Sequence, residues 1–116
     1  MSETIFAKII RKEIPAQIVF EDEQVLAFKD INPQAPVHIL IIPKISEIES
    51  AKNIDPQKHS LLLASMFNAA NKIAKQLGIS DSGFRLVINS GQDSGQEVSH
   101  LHMHLLGGRK MNWPPG

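Results

Sequence analysis

His100-Leu-His-Met-His-Leu-Leu106 alternates imidazole with aliphatic side chain, one residue at a time. In a helix, residues two apart point in different directions; in a strand they share one face. The alternation therefore predicts a strand over 98–106, stopped by Gly107-Gly108, with three histidines on its polar face and Leu101, Met103 and Leu105 on the other. Just before it, Ser90-Gly-Gln-Asp-Ser-Gly-Gln96 reads as a polar loop whose glycines let backbone N–H groups approach an anion closely. Phe84 to Ile88 reads as a further strand.

Working outward, Asp55 as N-cap and Pro56 as first residue open a long helix that runs to Gly78. Leu63, Met66, Ala70, Ile73 and Leu77 form its buried stripe, and Met66 and Phe67 read as core filling. His38-Ile-Leu-Ile-Ile42 is nearly all apolar, as suits a central strand, and Pro43 ends it. The prolines at 33 and 36 make 30–36 an ordered turn. Gln17 to Phe20 and Val25 to Phe28 read as a hairpin. Thr4 caps a short helix carrying Ile5, Phe6, Ile9 and Ile10, which Pro15 stops. Helix, three strands, long helix and two strands give an α+β fold with an antiparallel sheet, and residues 1–116 form one domain.

Composition limits the chemistry. Twelve basic residues balance twelve acidic ones, so no overall field attracts nucleic acid or an anionic membrane, and any anion must be held locally. There is no cysteine, hence no disulfide, thiolate zinc site or thiol nucleophile. The N-terminal residues lack a signal-peptide pattern and no apolar run approaches the ~20 residues of a bilayer span, so a cytoplasmic protein is expected. His59 reads as an ordinary surface histidine. A metal is a rival use for the triad, but strand residues four apart have Cα atoms about 13 Å apart, awkward for two imidazoles on one ion. Nucleophilic and proton-transfer chemistry fits better, with one ring nitrogen attacking phosphorus while the other holds its proton on a fixed acceptor.

The motif His100-Leu-His102-Met-His104-Leu-Leu106, with Gly95-Gln96 before it and Gly107-Gly108-Arg109 after it, resembles the histidine triad (HIT) superfamily. The stretches 4–15 and 30–38 and the end Trp113-Pro-Pro-Gly116 are similar to its nucleotide-binding (HINT) branch. The resemblance implies an antiparallel sheet continued across a homodimer. It also implies a purine nucleoside phosphoramidase that cuts P–N bonds of adenosine 5′-phosphoramidate-type substrates, with no cofactor and no metal. By the same likeness His102 is the nucleophile and His104 contacts phosphate, while His100 and His38 complete the proton network. Asp30 accepts the ribose hydroxyls; Ile5, Phe6, Ile9, Phe28 and Ile31 enclose the purine; Asn89 and Gly95, Gln96, Glu97 and Val98 hold the α-phosphate; Trp113 belongs to the nucleotide site through the dimer. Glu97 and Ser99 depart from the pattern, the former standing where many animal relatives have serine. A nucleotide-binding adaptor with incidental hydrolysis and a dinucleoside polyphosphate hydrolase are the alternatives.

Overall fold

A computed structural model describes residues 3–116. The chain forms α1 (Ile5–Ile10), β1 (Ile18–Glu21), β2 (Val25–Lys29), β3 (Val37–Pro43), α2 (Ser60–Gln76), β4 (Phe84–Val87) and β5 (Met103–Gly107), with single 3-10 turns at Ala51–Asn53 and Gln92–Ser94. The five strands make one sheet in the order β1-β2-β3-β5-β4. Every neighbouring pair is antiparallel. The α+β architecture expected from the sequence is the one observed.

Residue parity in the central strands sorts side chains into two layers. Val25, Ala27, Ile39, Ile41, Met103 and Leu105 face α2, where Leu62, Met66, Ala69, Ala70, Ile73 and Ala74 fill the interface. Leu26, Phe28, Leu40 and Ile42 face the other way, onto Phe6 and Ile9 of α1. Both faces of β2 and β3 are thus covered, which is why those strands read as continuous apolar runs. Even-numbered positions of β3 and β5 lie on the α1 side, and that layer is thin enough to leave a cleft.

Element boundaries differ from the sequence reading in three places, each with a local cause. The last strand begins at Met103 rather than Val98. Leu101 N–H is drawn instead to Ile48 C=O at 2.9 Å, and the His102 ring bonds back to the His100 carbonyl. Helix α2 begins at Ser60, not Asp55, because Asp55 closes a separate turn, its Oδ1 accepting N–H bonds from Gln57 and Lys58. With that later start, Leu62 takes the buried place expected of Leu63, and Phe67 is 51% exposed rather than core. Helix α1 stops at Ile10, well before Pro15. Lys12 adopts φ 62°, and the N–H groups of Lys12 and Glu13 return to the carbonyls of Ile9 and Lys8, a left-handed C-terminal cap formed without glycine.

The turn before β3 is fastened to the end of β5. Gly108 has φ 89°, and a Cβ placed there would stand 2.9 Å from Pro36 Cβ and 3.2 Å from its Cγ. The Arg109 guanidinium donates from Nε and Nη2 to the Gln34 carbonyl at 3.2 and 3.1 Å. Gly108→Ala combines a disfavoured backbone conformation with a clash against a rigid ring and should cost about 2 kcal/mol or more. A lowered midpoint in urea denaturation at unchanged slope is the expected result.

Candidate active site

A cavity of about 380 Å³ opens on the α1 side of the sheet. His38 and Leu40 of β3, His104 of β5 and His102 just before it form the floor. Phe6 of α1 closes one side, Asp30, Asn32 and Gln34 of the 30–36 turn a second, and Asn89, Gly95, Glu97 and Val98 a third.

Main-chain partners dictate which ring nitrogen of each histidine carries the proton. Gln34 N–H donates to His38 Nδ1 at 3.0 Å, so neutral His38 bears its proton on Nε2. That proton points at His104 Nδ1, 2.9 Å away, which leaves the His104 proton on Nε2. His102 Nδ1 lies 2.7 Å from the His100 carbonyl oxygen; a carbonyl only accepts, so Nδ1–H donates and Nε2 keeps its lone pair. His100 Nε2–H likewise donates to Pro43 C=O at 2.9 Å. Among the described residues, His100 Nδ1 is the one buried side-chain nitrogen or oxygen without a partner. His102 Nε2, which has no bond to protein, is therefore open to the cavity.

Burial disfavours the charged form of His38, His100 and His104. His104 is pushed down to about 4, first by desolvation, then by the neighbouring His102 and His38, with Asp30 opposing. His38 is lowered by burial against the opposing pull of Asp30, whose Oδ2 stands 3.4 Å from His38 Nε2. Burial also lowers His100, against the opposing Pro43 hydrogen bond. Phe6 packs edge-on against the His102 ring at 5.1 Å between centroids and fixes its plane.

The loop before the triad is clamped by one side chain. Gln96 Oε1 accepts from Gly91 N–H at 2.9 Å, while Nε2 donates to Glu49 C=O at 2.7 Å and Val98 C=O at 3.0 Å. Gly95 sits at φ 84°, the left-handed conformation that turns the chain back toward the cavity.

The structure thus gathers Phe6, Asp30, His38, Asn89, Gly95, Glu97, Val98, His102 and His104 around one space, as the sequence reading grouped them. His100, Ile9 and Phe28 are buried behind that wall. Gln96 holds the loop from outside. Ile5, Ile31 and Trp113 do not line the cavity; Ile31 is 97% and Trp113 81% exposed. Asn32, Gln34 and Leu40 were not anticipated. Leu40 was discoverable, since it follows His38 by two residues on the same strand; the turn residues carry no such periodic signal.

A HIT domain model matches residues 11–111. The chain is 53% identical to the purine nucleoside phosphoramidase of Escherichia coli, over 94% of this chain and 90% of that one. It is 55% identical to a 14 kDa zinc-binding protein of maize, over 99% of this chain and 89% of the relative. The crystal structure of a HIT family hydrolase from Legionella pneumophila superposes with a TM-score of 0.94 at 51% identity, covering 98% of this chain and all of that one.

The maize name raises zinc, and Asp30, His38 and His104 offer ligand atoms within 4.8 Å of one another. The donor set does not fit. A metal-bound imidazole donates its other N–H outward, whereas His38 Nδ1 accepts from Gln34 N–H and so Nε2 is already protonated. Ligation through Nε2 would require that backbone bond to break. Equilibrium dialysis against zinc at neutral pH should leave no stoichiometric metal; one retained ion lost in His38→Asn would overturn this.

Because His38 and His104 protonate more readily unfolded than folded, the unfolded chain binds more protons below pH 6.5, down to about pH 4 for His104. Stability should therefore fall as pH drops through that window, by about 1.4 kcal/mol per pH unit for each extra proton the unfolded chain binds. Urea midpoints measured from pH 7.5 to 4.5 should show this decline, with a shallower slope in His104→Asn.

Proposed function

The chain belongs to the HIT domain family, and as its similarity to the bacterial enzymes supports a nucleotide hydrolase, we propose that it is a purine nucleoside phosphoramidase working through a nucleotidyl-histidine intermediate. The observation that carries the reading is His102, whose Nδ1–H is held by the His100 carbonyl while Nε2 stands open in the cavity. His102 Nε2 attacks phosphorus, the P–N bond breaks, and the nitrogen takes up a proton from solvent and leaves as the amine. The positive charge on the substituted imidazole is met by the His100 carbonyl through Nδ1–H. Water then attacks phosphorus, gives up one proton, and returns the lone pair to Nε2 as the nucleoside monophosphate departs.

The other assignments follow the same layout. His104 Nε2–H is a donor for a phosphate oxygen, its tautomer fixed through His38. Asn89 and the backbone N–H groups of Glu97 and Val98 supply further donors, those of Gly95 and Gln96 being engaged by the carbonyls of Gln92 and Gly91. Asp30 accepts the ribose hydroxyls with oxygens that lie at the cavity wall, and Phe6, with Ile5, Ile9, Phe28 and Ile31, forms the apolar side for the purine. Among the described residues no Lys or Arg lines the cavity, which favours a substrate with one phosphate over a dinucleoside polyphosphate, whose extra charges call for cations. A homodimer completes the proposal. β4 is an outer strand whose free edge a second copy can extend, α2 exposes Leu61 and Phe67, and exposed Trp113 would be covered by the second copy.

With an adenosine 5′-phosphoramidate, His102→Ala should lower kcat/KM by about a thousandfold or more, and acid-quenched wild type alone should carry covalently bound nucleotide. Undiminished turnover in the variant would overturn the assignment. Light scattering on a sizing column should give twice the mass of the chain.

A further inference from the structure

We propose that Glu97 makes the site selective for phosphoramidates whose leaving amine carries a second positive charge, such as a diamine or another basic amine. The proposal rests on the phosphoramidase reading and identifies the class of leaving group.

The charged residues lining the cavity, apart from the histidines, are Asp30 and Glu97, both acidic. They are not equivalent. Asp30 is partly buried on the turn, its Oδ1 accepting Asn32 N–H at 2.8 Å and its Oδ2 3.4 Å from His38 Nε2, and its remaining acceptor capacity serves the ribose in the proposed function. Glu97 is exposed and, among the described residues, has neither a hydrogen bond nor an ion pair to protein. Arg109, the cation tied to the cavity's turn, donates instead to the carbonyls of Gln34 and Lys110.

The backbone of Glu97 is fixed even though its side chain is free. Gln96 clamps the loop on both sides, to Gly91 and to Glu49 and Val98. An uncompensated carboxylate is thereby held at the mouth of the cavity that contains the His102 nucleophile. It attracts a cationic tail and repels an anionic one, an effect that solvent and salt screen because the carboxylate is exposed. The phosphate is held by imidazole and backbone donors deeper in the site, so its own charge does not cancel the effect.

Three adenosine 5′-phosphoramidates of matched length test this, made from 1,4-diaminobutane, pentylamine and 5-aminopentanoate, with tails that are cationic, neutral and anionic. Wild-type kcat/KM should fall in that order, with about a tenfold span between the ends at low salt that narrows as ionic strength rises. Glu97→Gln keeps the shape and the backbone donor and should compress the span to about twofold; Glu97→Lys should reverse the order. Turnover with the full charge ordering retained in Glu97→Gln overturns this proposal alone. Failure of wild type to cleave any of the three overturns the phosphoramidase reading, and this proposal with it.

Discussion

The antiparallel pairing of β3 with β5 is the constraint on which the site depends. In its register Leu40 stands opposite His104 and His38 opposite Leu106, so His38 and His104 are diagonal neighbours on one face of the sheet, near enough for their rings to bond. On the other face the same register sets Ile39 against Leu105 and Ile41 against Met103, all buried beneath α2. A slip of one residue would bury His104 in that core and bring Met103 into the cavity. The apolar face therefore specifies the polar one, and the chemistry is positioned by hydrophobic burial on the side it never touches.

That coupling explains what was legible in the sequence. Period-two alternation in 100–106 and the apolar run after His38 carry the strand type and the shared face, and helical periodicity in 60–77 carries the partner layer. Which backbone groups a segment finds across the fold is not encoded in its own periodicity. Residues 100–102 continue the alternation, yet they lie outside the sheet, because the Ile48 carbonyl takes Leu101 N–H and the His100 carbonyl takes the His102 ring proton. Likewise Phe67 is apolar and helical, but the stripe passes through Leu62, Met66 and Ile73 and leaves it outside. The side-chain amide of Gln96, which carries no periodic signal, holds the loop's shape through carbonyls and an N–H that lie elsewhere in the fold.

Main-chain groups, rather than charged side chains, organise the electrostatics. The Gln34 N–H, the Pro43 carbonyl and the His100 carbonyl each fix one imidazole tautomer, and the His38–His104 bond transmits the first of these to a second ring. Burial then disfavours the charged form of His38, His100 and His104. A protonated His102 would have no lone pair for phosphorus, and a protonated His38 would lose the bond from Gln34. A Lys or Arg in the wall would bring its own hydration into the cavity and compete for the anion that the neutral donors hold. The site thus combines an open nucleophile with fixed neutral donors, and its exposed carboxylate, Glu97, lies at the rim, where it acts on what leaves rather than on what is attacked.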